Sequence, residues 1–459
     1  MFLGGRSVLC HYVRVADMLP PGARPAGVVR SRARTGLLNQ WGRRAAAVAA
    51  LAVMLDWHRY SEFTAATAVF ALTSGFFLFI LFTASRQLSW DDRPIPKGRI
   101  VAAVPAYNED PFTLHACIRS LLNQTCPIDA IYVVDDGSET PAPVLRDPRV
   151  HWKRTENGGK RHAQAIGLIA EKSRADFIVT VDSDSIVALD GVERLLRTFS
   201  DPRVQAAAGL PVLRNRTKNL LTRLADMEIV FGCLTVRRAR SALGAVLPTS
   251  GAFAAYRAEV FFDNITDYLS SGTYGDDRRL THYALQRGRV VSVDEAVVET
   301  NMPTTLRTVF KQRVRWYKGS FRYLPWELRN LKFSPVVFRL WNLSLFLAYP
   351  IFVFHGLAIL PLTGGTANWT PPLYWLTLLY VQGLAYVIGR KGVPPVERLA
   401  LWLFLTPLVS LFQMLLLRPA MYWATTQVRS ESWATRGSPA VVASPMAAVV
   451  PARPTNAAV

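Results

Sequence analysis

The sequence predicts an α/β domain inserted between groups of membrane-spanning helices. Long runs without a charged residue lie toward both ends of the 459-residue chain, and a region of ordinary globular composition, residues 95–305, separates them. Within that region, buried-strand patterns alternate with helical patterns. This order is typical of a parallel sheet with helices on both faces.

Apolar segments occur before and after the central region. About 20 apolar residues cross the hydrocarbon core of a bilayer as a helix. The uncharged runs predicted to cross are 45–55, 63–84, 340–362, 373–389 and 399–417. The run 45–55 is short and spans the bilayer only if Trp41 and Trp57 mark its ends. In the run 399–417, Pro407 leaves open whether the chain crosses once or folds back. We therefore expect an integral membrane protein with about five or six spans.

The net charge of +20 is concentrated beside these apolar segments. Residues 1–44 hold eight arginines and one aspartate, residues 305–332 hold eight basic residues and one glutamate, and a third basic group lies between 390 and 398. The positive-inside rule places such clusters in the cytoplasm, against anionic membrane lipid. The central domain is therefore predicted to be cytoplasmic, at the plasma membrane. The sequence contains no nucleic-acid-binding motif, so nucleic acid is not an expected partner.

These patterns divide the chain into six predicted regions. They are a disordered basic N-terminus (1–40), two transmembrane helices (41–85), a cytoplasmic α/β domain (95–305), interfacial amphipathic helices (306–335), C-terminal transmembrane helices (336–428) and a disordered tail (429–459). The α/β domain is the region in which chemistry on soluble substrates is expected.

Four aspartates follow the predicted strands of the domain. The stretch "AIYVVDDGS" ends in Asp135 and Asp136, and "DFIVTVDSDS" contains Asp182 and Asp184. Ligands bind at the carboxyl ends of parallel strands, so the four carboxylates are expected in one crevice, where they would repel one another without a cation. Asp182 and Asp184 are candidate ligands of Mg²⁺ or Mn²⁺, which would also hold phosphate oxygens. An isolated Asp-x-Asp at a strand end is, however, more often a turn.

Further polar residues suit a nucleotide or phosphate. Asp135 and Asp136 can accept hydrogen bonds from a base or ribose. Lys160 and Arg161 stand at the start of a helix that two glycines open, a position that favours phosphate. The alternative for this basic pair is a solvated helix face.

Two later motifs are candidates for catalysis and substrate binding. In "YGDDRRLT", Asp276 and Asp277 precede a helix, where acids cap the first turn, but a second acid is also available to face the crevice as a general base. In "QRVRW", Gln312, Arg315 and Trp316 lie at helical spacing on one face. The same segment has the composition of an amphipathic helix at a membrane surface, and both interpretations are compatible.

Taken in order, the motifs "DDGS", "DSDS", "SGAFAAYR", "GDDR" and "QRVRW" resemble those of the processive, membrane-embedded inverting glycosyltransferases. This group includes hyaluronan, chitin and cellulose synthases and the rhizobial chitooligosaccharide synthase. The resemblance covers about residues 45–436 and implies a GT-A nucleotide-sugar-binding domain. Within the group the chain is most similar to hyaluronan synthase, through "NGGKRHAQA", "YGDDRRLT", "PTTLRTVFKQRVRW" and "SWATR". It departs at Ala252, where proline is usual, and at Ala434, where glycine is usual.

The resemblance implies a division of roles among the candidate residues. The roles are uridine diphosphate binding by Asp135 and Asp136, metal and diphosphate binding by Asp182 and Asp184, base catalysis by Asp277 beside Asp276, diphosphate and acceptor binding by Gln312, Arg315 and Trp316, and an acceptor site lined by Ser250 and Gly251. The implied reaction builds a β-linked polysaccharide from UDP-GlcNAc and UDP-GlcUA and exports it through the C-terminal helices.

Two other functions are considered. One is a chitin-like, cellulose-like or N-acetylglucosaminyl transferase that uses a single UDP-sugar, since "QRVRW" does not specify the sugar. The other is a transporter or receptor with a degenerate sugar-nucleotide domain. Against the second, none of the expected acids is missing, and the apolar runs lack the carboxylates or lysines of ion-coupled transport.

Overall fold

The computed structural model describes residues 65–86, 89–141, 143–270 and 275–429. The disordered N-terminus predicted for 1–40 and the span predicted at 45–55 lie outside the described residues. So does the tail, apart from Arg429, and with it Ala434 of "SWATR".

The described chain forms one large sheet, its flanking helices and a C-terminal helical region. The strands are β1 (Ile100–Ala106), β2 (Ala130–Asp136), β3 (Val150–Thr155), β4 (Phe177–Val181), β5 (Ile186–Val187), β6 (Val204–Leu213), β7 (Phe253–Arg257) and β8 (Arg289–Thr300). The helices of the first part are α1 (Ala65–Ser85), α2 (Pro111–Leu122), α3 (Lys160–Leu168), α4 (Gly191–Arg197), α5 (Leu220–Gly232), α6 (Arg238–Ala242), α7 (Ala258–Phe262), α8 (Ile265–Ser270) and α9 (Asp276–Arg287). Those that follow are α10 (Leu306–Asn330), α11 (Phe333–Phe354), α12 (Leu360–Leu362), α13 (Thr370–Gly389), α14 (Pro395–Phe412) and α15 (Arg418–Thr426).

The sheet has eight strands in the order β3-β2-β1-β4-β7-β6-β8-β5. Strands β1 to β4 are mutually parallel, which confirms the predicted parallel arrangement for this half. The sheet as a whole is mixed, because β7 runs antiparallel to both β4 and β6. The prediction also missed β3, whose "VHWKRT" pattern has only its first residue buried. Because β7 starts at the edge where β4 ends, the residues just before β7 lie beside those that follow β4.

Burial on both faces explains why the central strands have continuous apolar sequences. Every residue of β1, β2 and β4 is buried. On one face α2 packs Leu114 and Ile118 against the sheet, and on the other α9 packs Leu280 and Ala284. Helices on both faces of the parallel half of the sheet agree with the architecture predicted from the sequence.

Three C-terminal helices have the length and composition of membrane spans. They are Phe333–Leu362, Thr370–Gly389 and Pro395–Thr426, and they cover the runs predicted at 340–362, 373–389 and 399–417. The last is one continuous helical run of 32 residues, so this segment does not fold back. At the predicted span 63–84 the structure has α1, a helix of 21 residues, Ala65–Ser85, without a charged residue.

A buried ion pair joins the α/β domain to these helices. Asp226 of α5 accepts hydrogen bonds from Arg390 at two oxygens, with distances of 2.9 Å to Nη2 and 3.1 Å to Nε. The Tyr386 hydroxyl and the Leu213 backbone N–H also donate to this carboxylate, at 3.0 Å each. Asp226 is 1% exposed and Arg390 4% exposed, and four donors satisfy the carboxylate. The joint is therefore rigid and water-excluded.

We predict that Asp226→Asn destabilises the protein strongly. The substitution keeps the shape but leaves the Arg390 charge buried without an acid, which costs about 3–5 kcal/mol when one partner of a buried pair is removed. The midpoint of thermal unfolding in detergent measures the effect. Asp263→Asn is the matched control, because Asp263 pairs with Arg287 at the surface and such pairs contribute about 0–1 kcal/mol. Equal shifts in the two variants would contradict the prediction.

Candidate active site

Two pairs of acids lie at the same edge of the sheet. Asp135 and Asp136 end β2, and Asp182 and Asp184 follow β4. Strand β1 lies between β2 and β4, and the three strands are parallel, so their carboxyl ends meet at one edge. This is the arrangement that the order of strands in the sequence predicts.

The Asp136 carboxylate holds the loop that leads into α3. Its two oxygens accept hydrogen bonds from the backbone N–H groups of Gly158 and Gly159, each at 2.9 Å. Burial raises the pKa of Asp136 to about 6, against the opposing effect of these two donors. Gly137 has a φ of 76°, and a Cβ there would lie 2.7 Å from the backbone nitrogen of Asn157. The motif "DDGS" therefore needs both its acid and its glycine for this close approach.

The loops after β1 and β2 are joined to each other by hydrogen bonds. Asp135 accepts from the Ser138 backbone N–H at 2.9 Å, and the Ser138 hydroxyl accepts from the Asn108 backbone N–H at 2.8 Å. Asn108, which has a φ of 47°, accepts in turn from the Glu139 backbone N–H at 2.9 Å. These bonds fix the floor of the crevice between the two strands.

The Lys160 ammonium bridges two of the predicted site acids. Its Nζ lies 2.7 Å from Asp182 Oδ1 and 2.7 Å from Asp276 Oδ2. Burial alone would lower the pKa of Lys160, but the two carboxylates outweigh it and raise the pKa. Lys160 is therefore a fixed positive charge between the acids of β4 and those of α9.

Arg161 points toward the start of α9. Its guanidinium donates to the carbonyl oxygens of Tyr268 and Gly275, at 3.2 Å each, and to the Tyr323 hydroxyl at 2.8 Å. It also lies 5.1 Å from the centre of the Tyr268 ring. These contacts hold the residues that precede α9 and connect them to α10.

The two acids of "GDD" have different surroundings. The ion pair with Lys160 lowers the pKa of Asp276 although burial opposes it. Burial, followed by the neighbouring charge of Asp276, raises the pKa of Asp277 to about 6. The Asp277 carboxylate accepts from the Arg278 backbone N–H through Oδ1 at 2.8 Å. Asp277 thus has the higher proton affinity of the pair, as a general base requires.

Gly251 separates Asp277 from the first acid of "DSDS". A Cβ built on Gly251 would lie 3.8 Å from Asp182 Oδ2 and 3.8 Å from Asp277 Oδ2. Both carboxylates therefore border the space that a side chain at position 251 would enter. Ser250 and Ala252, on either side, are buried, and the Ala252 carbonyl accepts from the Asp182 backbone N–H at 3.4 Å.

The "DSDS" turn offers two hard oxygen donors for a cation. No group of three or more His, Cys, Asp or Glu side chains within the described ranges is arranged to hold a metal. Asp182 and Asp184 would therefore supply two ligands, and a substrate phosphate would complete the set, which is the usual way that Mg²⁺ is bound. The intervening Ser183 hydroxyl donates to Glu109 at 2.9 Å, so the turn is anchored between the two candidate ligands. The donor chemistry fits Mg²⁺ or Mn²⁺.

The motif "QRVRW" lies in the first half of α10. The region 306–335, predicted to hold interfacial amphipathic helices, contains α10, Leu306–Asn330, and the start of α11 at Phe333. Trp316 is 43% exposed. Gln312 Oε1 is buried and accepts no hydrogen bond from the described residues, and Arg315 is partly enclosed. These side chains share one helix, whose later turns contact α9 through Tyr323 and Ser320.

Comparison with known proteins identifies the family. Residues 96–319 match the family described as "Glycosyltransferase like family 2". The chain is 31% identical to hyaluronan synthase of Streptococcus pyogenes over 358 residues, which cover 74% of this chain and 83% of that protein. It is 33% identical to an N-acetylglucosaminyltransferase of Sinorhizobium fredii over 359 residues, covering 73% and 84% of the two chains. The chain belongs to glycosyltransferase family 2.

Among solved structures, a mannosyltransferase from Pyrobaculum calidifontis in complex with GDP-Man and Mn²⁺ is similar, with a TM-score of 0.47 and 18% identity over 78% of this chain and 96% of that one. The predicted GT-A-type fold class and the predicted enzyme class are confirmed by the family. The protein is a processive glycosyltransferase that takes a nucleotide-sugar donor. With three helices of spanning length, it is a membrane protein.

The acid that joins α9 to α10 in this transferase was not among the residues predicted from the sequence. Glu327 is fully buried and accepts from Arg278 Nη1 at 2.6 Å, from His282 Nε2 at 3.0 Å and from Arg339 Nε at 3.0 Å. Arg278 immediately follows Asp277, so Glu327 links the start of α9 to the helix of "QRVRW" and to α11. The available signal was that Glu327 is the one acid in the basic stretch 305–332.

We predict that a large side chain at position 251 lowers the turnover of the transferase. Gly251→Ala places a methyl group at ordinary contact distance from Asp182 and Asp277, so most activity should remain. Gly251→Leu fills the gap and should lower turnover at least about 100-fold, the cost of displacing a reacting group by about 1 Å. UDP released per minute by purified enzyme measures both variants. Full activity of Gly251→Leu would show that substrate does not enter this gap.

Proposed function

We propose that the transferase polymerises sugars from UDP-GlcNAc and UDP-GlcUA as a hyaluronan-type synthase and exports the product. The observation that carries the proposal for the reaction is that Asp182 and Asp277 both border the space beside Gly251. One of these acids belongs to the proposed donor side of that space and the other is the proposed base. The 31% identity to Streptococcus pyogenes hyaluronan synthase over 83% of its length supports the proposal for the product.

The donor side of the site is formed by the acids after β2 and β4. Asp135 and Asp136 shape the loop that receives the uridine diphosphate. Asp182 and Asp184 would hold a divalent cation, Mg²⁺ or Mn²⁺, whose positive charge stabilises the diphosphate as the bond to the sugar breaks. Lys160 contacts Asp182 and lies at the start of α3, from which its ammonium can reach a phosphate oxygen when the donor is bound. Arg161 supports this loop through its contacts with Tyr268 and Gly275.

The acceptor side of the site is formed by α9, α10 and the residues before β7. Asp277 removes the proton of the attacking hydroxyl, since Asp276 is neutralised by Lys160. Attack from the face opposite the leaving diphosphate inverts the anomeric carbon and gives a β-linkage. Ser250 and Gly251 line the acceptor site.

The motif of α10 completes the site in this proposal. Gln312 and Arg315 bind the diphosphate, and the exposed indole of Trp316 stacks on a sugar ring of the growing polysaccharide. In this proposal α10 also lies against the membrane surface, as part of the amphipathic region 306–335.

The C-terminal helices provide the path of the polymer across the membrane. The α/β domain, proposed as 95–305, is placed on the cytoplasmic side of the plasma membrane because basic clusters adjoin the spans. Anionic lipid is the partner of these clusters. The buried pair of Asp226 and Arg390 keeps the domain at the cytoplasmic mouth of that path.

A second candidate function is an N-acetylglucosaminyl transferase that uses UDP-GlcNAc alone. It is favoured by the 33% identity to the Sinorhizobium fredii enzyme over 84% of its length. Ala252, beside the acceptor gap, also departs from the hyaluronan synthase pattern.

We predict that Asp277→Asn lowers turnover by about 10²–10⁴-fold, the usual contribution of general base catalysis, while UDP binding stays nearly intact.

In the native enzyme, kcat/KM should fall as the pH drops through about 6, because the base acts when deprotonated and the pKa of Asp277 is raised to about 6. Turnover and its pH profile test the prediction. An inactive Asp276→Asn variant beside an active Asp277→Asn variant would reverse the two assignments.

We predict that polymer forms only when UDP-GlcNAc and UDP-GlcUA are supplied together, because alternation requires both. Purified enzyme is incubated with each donor alone and with both, and the product is then digested. Complete breakdown by hyaluronidase is the expected result. Polymer from UDP-GlcNAc alone that resists hyaluronidase and yields to chitinase would establish the second candidate and leave the mechanism unchanged.

A further inference from the structure

An ion pair lies directly behind the proposed acceptor-binding tryptophan. Arg313, three residues before Trp316 on α10, donates from Nη2 to Glu228 Oε2 at 2.8 Å. Arg313 is 5% exposed, and the Glu228 side chain is 19% exposed. The pair is therefore largely removed from water, where charge attraction is stronger than at a surface.

The Arg313 guanidinium covers one face of the Trp316 indole. Its Cζ lies 4.6 Å from the ring centre, within the range of a cation–π contact. The indole is nevertheless 43% exposed. One face of the ring is occupied by the cation, and exposed surface remains for a ligand.

Glu228 ties this arrangement to the membrane helices. It lies on α5, which packs Met227 and Phe231 in one apolar cluster with residues of α13 and α14, among them Leu379 and Val409. The position of the Trp316 ring thus depends on a helix that is itself held by the candidate spans. An exposed tryptophan without such support would sample several rotamers.

We propose that Glu228 and Arg313 form a positioning pair that fixes the Trp316 indole for stacking on the acceptor sugar, and so sets how many sugars are added before the chain is released. The inference rests on the proposed function, because it takes Trp316 as the acceptor-binding ring. Stacking on a sugar requires a ring of fixed orientation, and a guanidinium held by Glu228 supplies that constraint from behind. The retained chain end then stays in register with Asp277 between additions.

The test compares polymer length at equal UDP release. Purified full-length Glu228→Gln in detergent should bind UDP as the native enzyme does. Without Glu228 the Arg313 guanidinium is no longer held over the indole, so mean polymer length should fall by up to about ten-fold, the scale expected when a cation–π contact on the ring is lost. Partial unfolding would lower UDP release without shortening the chains that the folded molecules make. Glu228→Asp should restore part of the length, because it keeps the charge.

Two further variants keep the result interpretable. Arg313→Lys retains the charge but not the planar stacking group, so it should also shorten the polymer. This variant replaces Glu228→Gln as the test if Glu228→Gln fails to fold. Glu397→Gln is the matched control: Glu397 pairs with Arg216 at 2.7 Å, also between the domain and a span, but neither residue is on α10. It should leave polymer length unchanged.

The outcomes separate the inference from the proposal beneath it. If Trp316→Ala shortens the polymer and Glu228→Gln and Arg313→Lys do not, the positioning pair is refuted while the acceptor role of Trp316 stands. If Trp316→Ala makes polymer of native length, the acceptor assignment fails, and the inference fails with it. Shortening by Glu397→Gln equal to that by Glu228→Gln would also overturn the inference, since general loosening would explain both.

Discussion

The site depends on one interaction, the bridge that Lys160 makes between Asp182 and Asp276. The three side chains come from α3, the turn after β4 and the start of α9, which are distant in the sequence. Without a cation between them the carboxylates would repel, and the gap at Gly251 would not hold its width. The same bridge makes the two neighbouring acids differ. The ion pair with Lys160 lowers the pKa of Asp276, whereas the pKa of Asp277 is raised, so Asp277 has the higher proton affinity. The proposed donor and base sides thus differ in charge before substrate binds.

The residues that sequence analysis located are those whose place follows from local pattern. Continuous apolar runs predicted β2 and β4, and parallel order then brought Asp136 and Asp182 to one edge. The antiparallel return of β7 was not predictable, since it depends on pairing with β4 across more than seventy residues of sequence. The same limit hid the partners of the half-buried Glu228 and the buried Glu327, because a helical pattern reveals which face is apolar but not which distant arginine an acid will meet.

The α/β domain is also attached to the membrane helices by specific contacts. The transferase domain is joined to them by the buried Asp226–Arg390 pair and by the apolar packing of α5. A processive enzyme must keep the chain end at its active site while the rest of the polymer moves away, so the proposed active site and the proposed exit path need a fixed relation. Buried polar contacts give such a relation better than apolar packing alone, because they are satisfied in one geometry.

The most direct test of the account is UDP binding to purified protein with and without Mn²⁺, measured by calorimetry without sugar transfer. In the proposed function, the acids after β4 and a divalent cation together bind the donor diphosphate. Mn²⁺ should therefore increase UDP affinity in the native protein and in Asp277→Asn, and Asp184→Asn should lose this increase while remaining folded. Metal-dependent UDP affinity of native strength in Asp184→Asn would contradict the account and make "VDSDS" a structural turn.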